Sequence, residues 1–65
     1  MRDPQRMERI VNLLNSIWLV YPDWRLGQII YNATEYRGDI FHLEDDRLEQ
    51  GLSNFIESYL KAENE

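Results

Sequence analysis

The chain has one histidine, His42, and it stands among the carboxylates of Asp39, Glu44 and Asp45. A histidine beside acidic side chains is a residue set for acid–base chemistry or for holding a metal ion. Here no second histidine, no cysteine, and no serine or threonine accompanies it. That leaves neither an activated nucleophile nor a His/Cys ligand set. Asp39 and His42 also fall in a stretch expected to be irregular, so a surface loop histidine is the simpler reading. The run Glu44-Asp45-Asp46 lacks the D-x-D-x-D-G spacing of a calcium-binding loop. It reads instead as carboxylates at a helix N-terminus, where they complement the helix dipole. A catalytic triad, a phosphate-binding loop and a Gly-rich dinucleotide motif are absent from the sequence. The sequence therefore predicts no catalytic residues, no metal and no cofactor, and an activity centred on His42 is the only enzymatic alternative.

The residue types of recognition are better represented. At about 100° per residue, a helix through this region projects Trp24 and Tyr31 away from Leu26, Ile30 and Ala33. Gln28 lies between them and Arg25 beside them. Trp, Tyr and Arg are enriched at binding hot spots, so Trp24, Arg25, Gln28 and Tyr31 form the candidate partner-binding set. The competing reading is that the two aromatic rings pack on Ile40-Phe41 or on the last helix. Arg25, Gln28 and Asn32 also lie roughly along one side, as base-reading residues of a helix-turn-helix regulator would. Arg25 is the only basic residue of that helix before Arg37, and the helix that follows is acidic. Nucleic-acid binding is therefore the alternative reading and is disfavoured.

These residues must be positioned by helices. Tyr21-Pro22-Asp23 and Arg37-Gly38-Asp39 punctuate the chain into three segments. The first reads as a helix over about 4–20, capped by Asp3 with Pro4 at its first position. Its apolar residues Met7, Ile10, Val11, Leu14, Ile17, Trp18 and Tyr21 have 3-4 spacing, and Pro22 ends it. The second spans about 24–36, with Asp23 as N-cap, Leu26, Ile29, Ile30 and Ala33 inward, and Gly38 as its stop. Gly27 inside it costs about 1 kcal/mol relative to Ala, which close approach of a neighbouring backbone would justify. Residues 39–43 read as a short ordered loop anchored by buried Ile40, Phe41 and Leu43. The third helix spans about 45–61, capped by Glu44 with a Leu43–Leu48 staple or by Asp46 with Glu49. Leu48, Leu52, Phe55, Ile56, Tyr59 and Leu60 make its stripe, and the residues after Lys61 should fray. Three amphipathic helices and no strand pattern predict an all-α, compact three-helix domain. Leu14, Ile17, Leu26, Ile30, Leu52 and Phe55 are its expected shared core.

Sixty-five residues allow one domain with a small core. Without cysteine, disulfides and thiolate metal sites are excluded as stabilisers, which leaves self-association. The wide stripe of the first helix, with Leu19 lying off it, predicts a homo-oligomer in which that helix takes part. The net charge of −5 is unevenly spread, with residues 1–33 carrying +1 and residues 34–65 carrying −6. An acidic half opposes binding to nucleic acid or to an anionic membrane surface. No apolar run approaches the ~20 residues of a membrane span, and no signal-peptide core precedes Ile10, so a cytoplasmic protein is expected.

The stretch from Trp18 to Leu48 resembles a family of small uncharacterised proteins of bacteria and their phages. The matching residues are Trp18, Tyr21, Pro22, Asp23, Arg25, Leu26, Gly27, Gln28, Ile29, Ile30 and Asn32, then Asp39, Phe41, Glu44 and Asp45. They follow the pattern W-x-x-Y-P-D-x-R-L-G-Q-I-I-x-N … D-x-F-x-x-E-D. The resemblance implies a phage or prophage context and supplies no catalytic residue. It implies a small non-enzymatic protein–protein interaction module that binds and modulates a host protein, such as a defence or metabolic enzyme.

Overall fold

The computed structural model describes residues 3–60. The protein is an all-α, three-helix domain. Helix α1 (Gln5–Val20) leads to α2 (Leu26–Thr34), a single 3-10 turn (Ile40–His42), and α3 (Asp45–Phe55), which continues as a π-helical turn (Ile56–Leu60). Helix α3 is the central element and packs on both α1 and α2, which meet each other less extensively. The expected end of the third helix at Lys61, and the expected fraying after it, lie outside the described residues.

Local chemistry sets the ends of α1 as the sequence predicts. Pro4 already has helical angles, and the Asp3 Oδ1 accepts the Gln5 N–H at 2.9 Å. Asp3 is thus the working cap, and Pro4 costs nothing where its N–H would be unpaired. The helix stops at Tyr21, ahead of Pro22. Two arginines on one side of α1 then fasten α3. Arg6 Nε donates to Asp45 Oδ2 at 2.8 Å, and Arg9 forms a fork onto Glu49 at 2.7 and 3.2 Å while also reaching Asp3.

Helix α2 is shorter than its sequence pattern. It begins at Leu26, with Arg25 rather than Asp23 at the cap position and the Arg25 N–H donating to Gln28 Oε1 at 2.8 Å. Residues 22–24 are used instead in a turn, closed by the Trp24 N–H on the Tyr21 carbonyl at 3.1 Å. The helix ends at Thr34, and Gly38 plays no part in stopping it. Thr34 Oγ1 donates back to the Ile30 carbonyl at 2.7 Å and accepts the Tyr36 N–H at 3.2 Å. That side chain diverts the backbone from the helical ladder, and Glu35 adopts left-handed angles, φ 55°, directly after it.

The core corrects the sequence reading of α2. Ile17, Ile29 and Leu52 are fully buried, joined by Ile10, Phe55 and Leu60. Of the expected core, Ile17, Leu52 and Phe55 are buried, Leu14 is half-buried against the cluster, Ile30 is half-buried, and Leu26 is exposed. The helix is rolled so that Ile29, Ala33 and Thr34, rather than Leu26 and Ile30, lead into the interior. The roll is permitted by Gly51 of α3, where a Cβ would stand 2.8 Å from Thr34 Cγ2 and 3.0 Å from the Ala33 carbonyl oxygen. The close backbone approach expected at Gly27 therefore occurs at Gly51, while a Cβ on Gly27 would meet nothing within 4 Å.

Two further expectations are altered downstream. Ile40 and Phe41 are not buried anchors: both are exposed on the 3-10 turn, and only Leu43 is half-buried. Glu44 occupies the cap position of α3 without a side-chain capping bond. At the other end, in the π-helical turn, Leu60 joins Phe55 in the core, while Tyr59 is exposed with its ring against Phe55 at 4.8 Å.

Candidate functional site

The candidate site is built on the outer face of α2. Tyr31 stands in the middle of the helix with its side chain 46% exposed. On one side of it lies an open depression of 380 Å³ lined by Trp24, Gly27, Gln28, Tyr31 and Asn32. On the other lies a smaller groove of 170 Å³ lined by Gly27, Ile30, Tyr31, Tyr36, Gly38, Ile40 and Leu43. Gly27 belongs to both, and its missing side chain keeps the helix surface low next to the Tyr31 ring.

The four residues singled out from sequence separate into different roles. Trp24, Gln28 and Tyr31 line the same depression, while Arg25 is exposed at the start of the helix. Trp24 is not part of α2. Its ring stacks on Tyr21 with centroids 4.2 Å apart and meets Phe55 edge-on at 6.1 Å. Its carbonyl accepts the Trp18 indole N–H at 2.7 Å. Trp24 is therefore a half-buried ring packed on the core that shows one edge to the depression. Gln28 is exposed but tied by its Oε1 to the Arg25 N–H. Tyr31 makes no such core contact and is the open aromatic surface of the site.

Sequence reasoning missed Arg37. Its guanidinium carbon lies 5.6 Å above the Tyr31 ring, a cation–π arrangement. No helical spacing relates the two, because the chain leaves the helix at Glu35 between them. Arg6 and Arg9 are engaged with carboxylates, and Arg47 donates to the Thr34 carbonyl at 3.0 Å. Among the described residues Arg25 and Arg37 make no ion pair. Arg37 thus stands over the Tyr31 face of α2, and Arg25 is exposed at the start of the same helix.

The His42 neighbourhood separates in a different way. Asp39 Oδ1 accepts the Phe41 N–H at 3.0 Å and caps the 3-10 turn. Asp45 is paired with Arg6. His42 is exposed, its ring edge-on to Phe41 with centroids 5.1 Å apart. Among the described residues no three histidine or acidic side chains converge in a metal-holding group. Among the same residues no helix is long and apolar enough to cross a membrane.

The carboxylates that are perturbed belong to the α1–α3 clamp. The Gln5 N–H and then Arg9 hold Asp3 below its ordinary range, and the Arg9 guanidinium does the same to Glu49. Their partner Arg9 is shifted further upward, so its charge is permanent. These are exposed structural pairs. The chemistry that α2 offers is stacking surface, two guanidinium groups and amide hydrogen bonds, all of which suit recognition.

Comparison with known proteins finds no protein-family model, no curated protein and no solved structure that matches the chain.

Proposed function

We propose that the protein is a small non-enzymatic interaction module that acts by stoichiometric binding through the outer face of α2. One observation carries this reading: Tyr31 is open between two depressions with the Arg37 guanidinium over its ring, and Arg25 is exposed at the start of the same helix. An aromatic ring with neighbouring guanidinium groups is the composition of an interface centre rather than of a solvated helix face. Arg25, Gln28 and Tyr31 supply direct contacts, and Trp24 holds the floor of the depression. The sequence pattern from Trp18 to Leu48 supports a phage or prophage setting, with a protein of the host cytoplasm as partner. Self-association belongs to the same reading, since Met7, Val11 and Leu19 leave more than half of their surface exposed on α1.

The test is recovery from host lysate on immobilised protein, compared with a Tyr31→Ala variant whose melting curve is unchanged. A host protein retained by the native chain and lost by the variant supports the reading. Equal retention by both removes α2 as the binding face.

A further inference from the structure

Helix α1 keeps an apolar face open among the described residues. Met7, Val11, Leu14 and Trp18 recur along it at four-three-four spacing, the spacing of a seam between two paired helices. Met7 and Val11 leave more than half of their surface open and Trp18 over a third, while Leu14 is half-buried at the foot of the stripe. Leu19 borders the stripe and is 72% exposed. Arg6 and Arg9 point instead to α3, where they hold Asp45 and Glu49. The Trp18 indole N–H is already donated to the Trp24 carbonyl at 2.7 Å, so the ring can lose its water without orphaning a donor.

Charge selects the occupant. From Ile10 to Val20 the helix carries no charged side chain, although each copy has a net charge of −5, with the acidic excess in residues 34–65. A strongly charged partner finds nothing to pair with here, whereas two copies meet here with the least repulsion. The area is sufficient. Met7, Val11, Trp18 and Leu19 expose roughly 500 Å², so a two-fold contact buries on the order of 1,000 Å² in total, the lower end of specific interfaces. We infer that two copies of this chain pair α1 against α1, antiparallel, about a two-fold axis midway between Val11 and Leu14. The charged side chains of α1, Arg6, Glu8 and Arg9, all lie in its first five residues. A parallel pair would crowd those ends together, while an antiparallel pair sets each beside the uncharged end of the other copy and opposes the helix dipoles. In that register Met7 of one copy lies on the Trp18 ring of the other, a favourable sulfur–aromatic contact, and Val11 sits beside the axis. The contact is isologous and closes at a dimer.

This dimer deepens the self-association within the proposed function and rests on that reading, but it uses α1 rather than the Tyr31 face, so the two fail separately. The experiment is sedimentation equilibrium on the full chain up to high micromolar concentration, at low and high salt. Val11→Glu and Val11→Lys each place a charge beside the axis. Both put a better helix former at an exposed position, so the monomer stays folded, which circular dichroism checks. Val11→Lys also lowers the net negative charge, so weaker association in both variants separates loss of the seam from overall repulsion. The native chain should dimerise, no less tightly at high salt, and each Val11 variant should raise the dissociation constant by ~30-fold or more. Tyr31→Ala should leave it unchanged. In nuclear Overhauser spectra the Met7 methyl should meet the Trp18 ring. The two residues stand about 16 Å apart along one helix, so that contact arises only between copies. A native chain that stays monomeric overturns the inference and leaves the face to a different protein. A dimer that survives both Val11 variants, that is lost with Tyr31→Ala, or that joins Met7 to Met7 of the other copy overturns it as well.

Discussion

Replacing Gly51 and Gly27 by alanine, one at a time, should move stability in opposite directions. Gly51 lies inside α3 and Gly27 in the first turn of α2, and alanine is favoured over glycine in a helix by up to about 1 kcal/mol because the unfolded glycine has more freedom to lose. At Gly27 a new methyl group meets nothing within 4 Å, so the full gain is available. For a domain of this size 1 kcal/mol corresponds to a rise in Tm of about 4–8 °C. At Gly51 the same methyl would stand 2.8 Å from Thr34 Cγ2, 3.0 Å from Thr34 Cα and 3.0 Å from the Ala33 carbonyl oxygen. Favourable carbon contacts lie at about 3.5–4.0 Å, so α2 must move away. It does not move freely, because the Thr34 hydroxyl is bonded to the Ile30 carbonyl and the Thr34 carbonyl to Arg47. Overpacking of this kind costs ~1–3 kcal/mol, which at most of that range exceeds the propensity gain. Gly51→Ala should therefore melt below the native protein and Gly27→Ala above it, by circular dichroism at 222 nm under one set of conditions. If Gly51→Ala melts as high as Gly27→Ala, α2 and α3 are not in the close contact described and the roll of α2 is wrong.

Other outcomes follow from the same packing. Ile29→Ala should cost ~2–5 kcal/mol in denaturant unfolding, while Leu26→Ala, at an exposed position, should cost under ~1; the reverse order would restore the sequence-based register of α2. Trp24→Ala should lower Tm markedly because the ring holds Tyr21 and Phe55, whereas Tyr31→Ala should leave Tm nearly unchanged. The α1–α3 clamp makes stability depend on acid. Asp3 and Glu49 are held below their ordinary values of 3.8 and 4.5, so their contribution is present above those values and is lost as pH falls through the depressed ones. In Arg9→Gln, Tm should decline less steeply below about pH 5 than in the native chain, and high salt should shrink the difference. Parallel slopes for the two proteins would show that the clamp contributes nothing to folding.

Features fixed by neighbouring residues were readable in the sequence. Asp3-Pro4 caps and opens α1 and Pro22 closes it, because each effect acts within one turn of helix; at the start of α3 the sequence offers both Glu44 and Asp46 as cap, and Glu44 holds the position. The roll of α2 was not readable, since Leu26, Ile29, Ile30 and Ala33 form a stripe with two usable edges. The choice between those edges rests with Gly51, seventeen residues beyond Thr34 in sequence. The same holds for Ile40 and Phe41. Apolar residues in a connection are ordinarily anchors, and only the path taken by α2 and α3 leaves these two outside the core. At the candidate site, Tyr31 and Gln28 were found by helical spacing alone. Trp24 was placed on the wrong element, because the turn at 22–24 consumes residues that also suit a helix start. Arg37 reaches Tyr31 through a chain reversal after Glu35, for which the sequence carries no periodic signal.

The central claim is that the Tyr31 face of α2 binds a partner protein independently of the fold's stability. It is tested most directly by calorimetric titration of the captured host protein with native chain and Tyr31→Ala, with melting curves recorded on the same samples. Tm should be unchanged and the affinity weakened by ~30-fold or more, the effect of removing a hot-spot side chain. Equal affinity at equal Tm would contradict it.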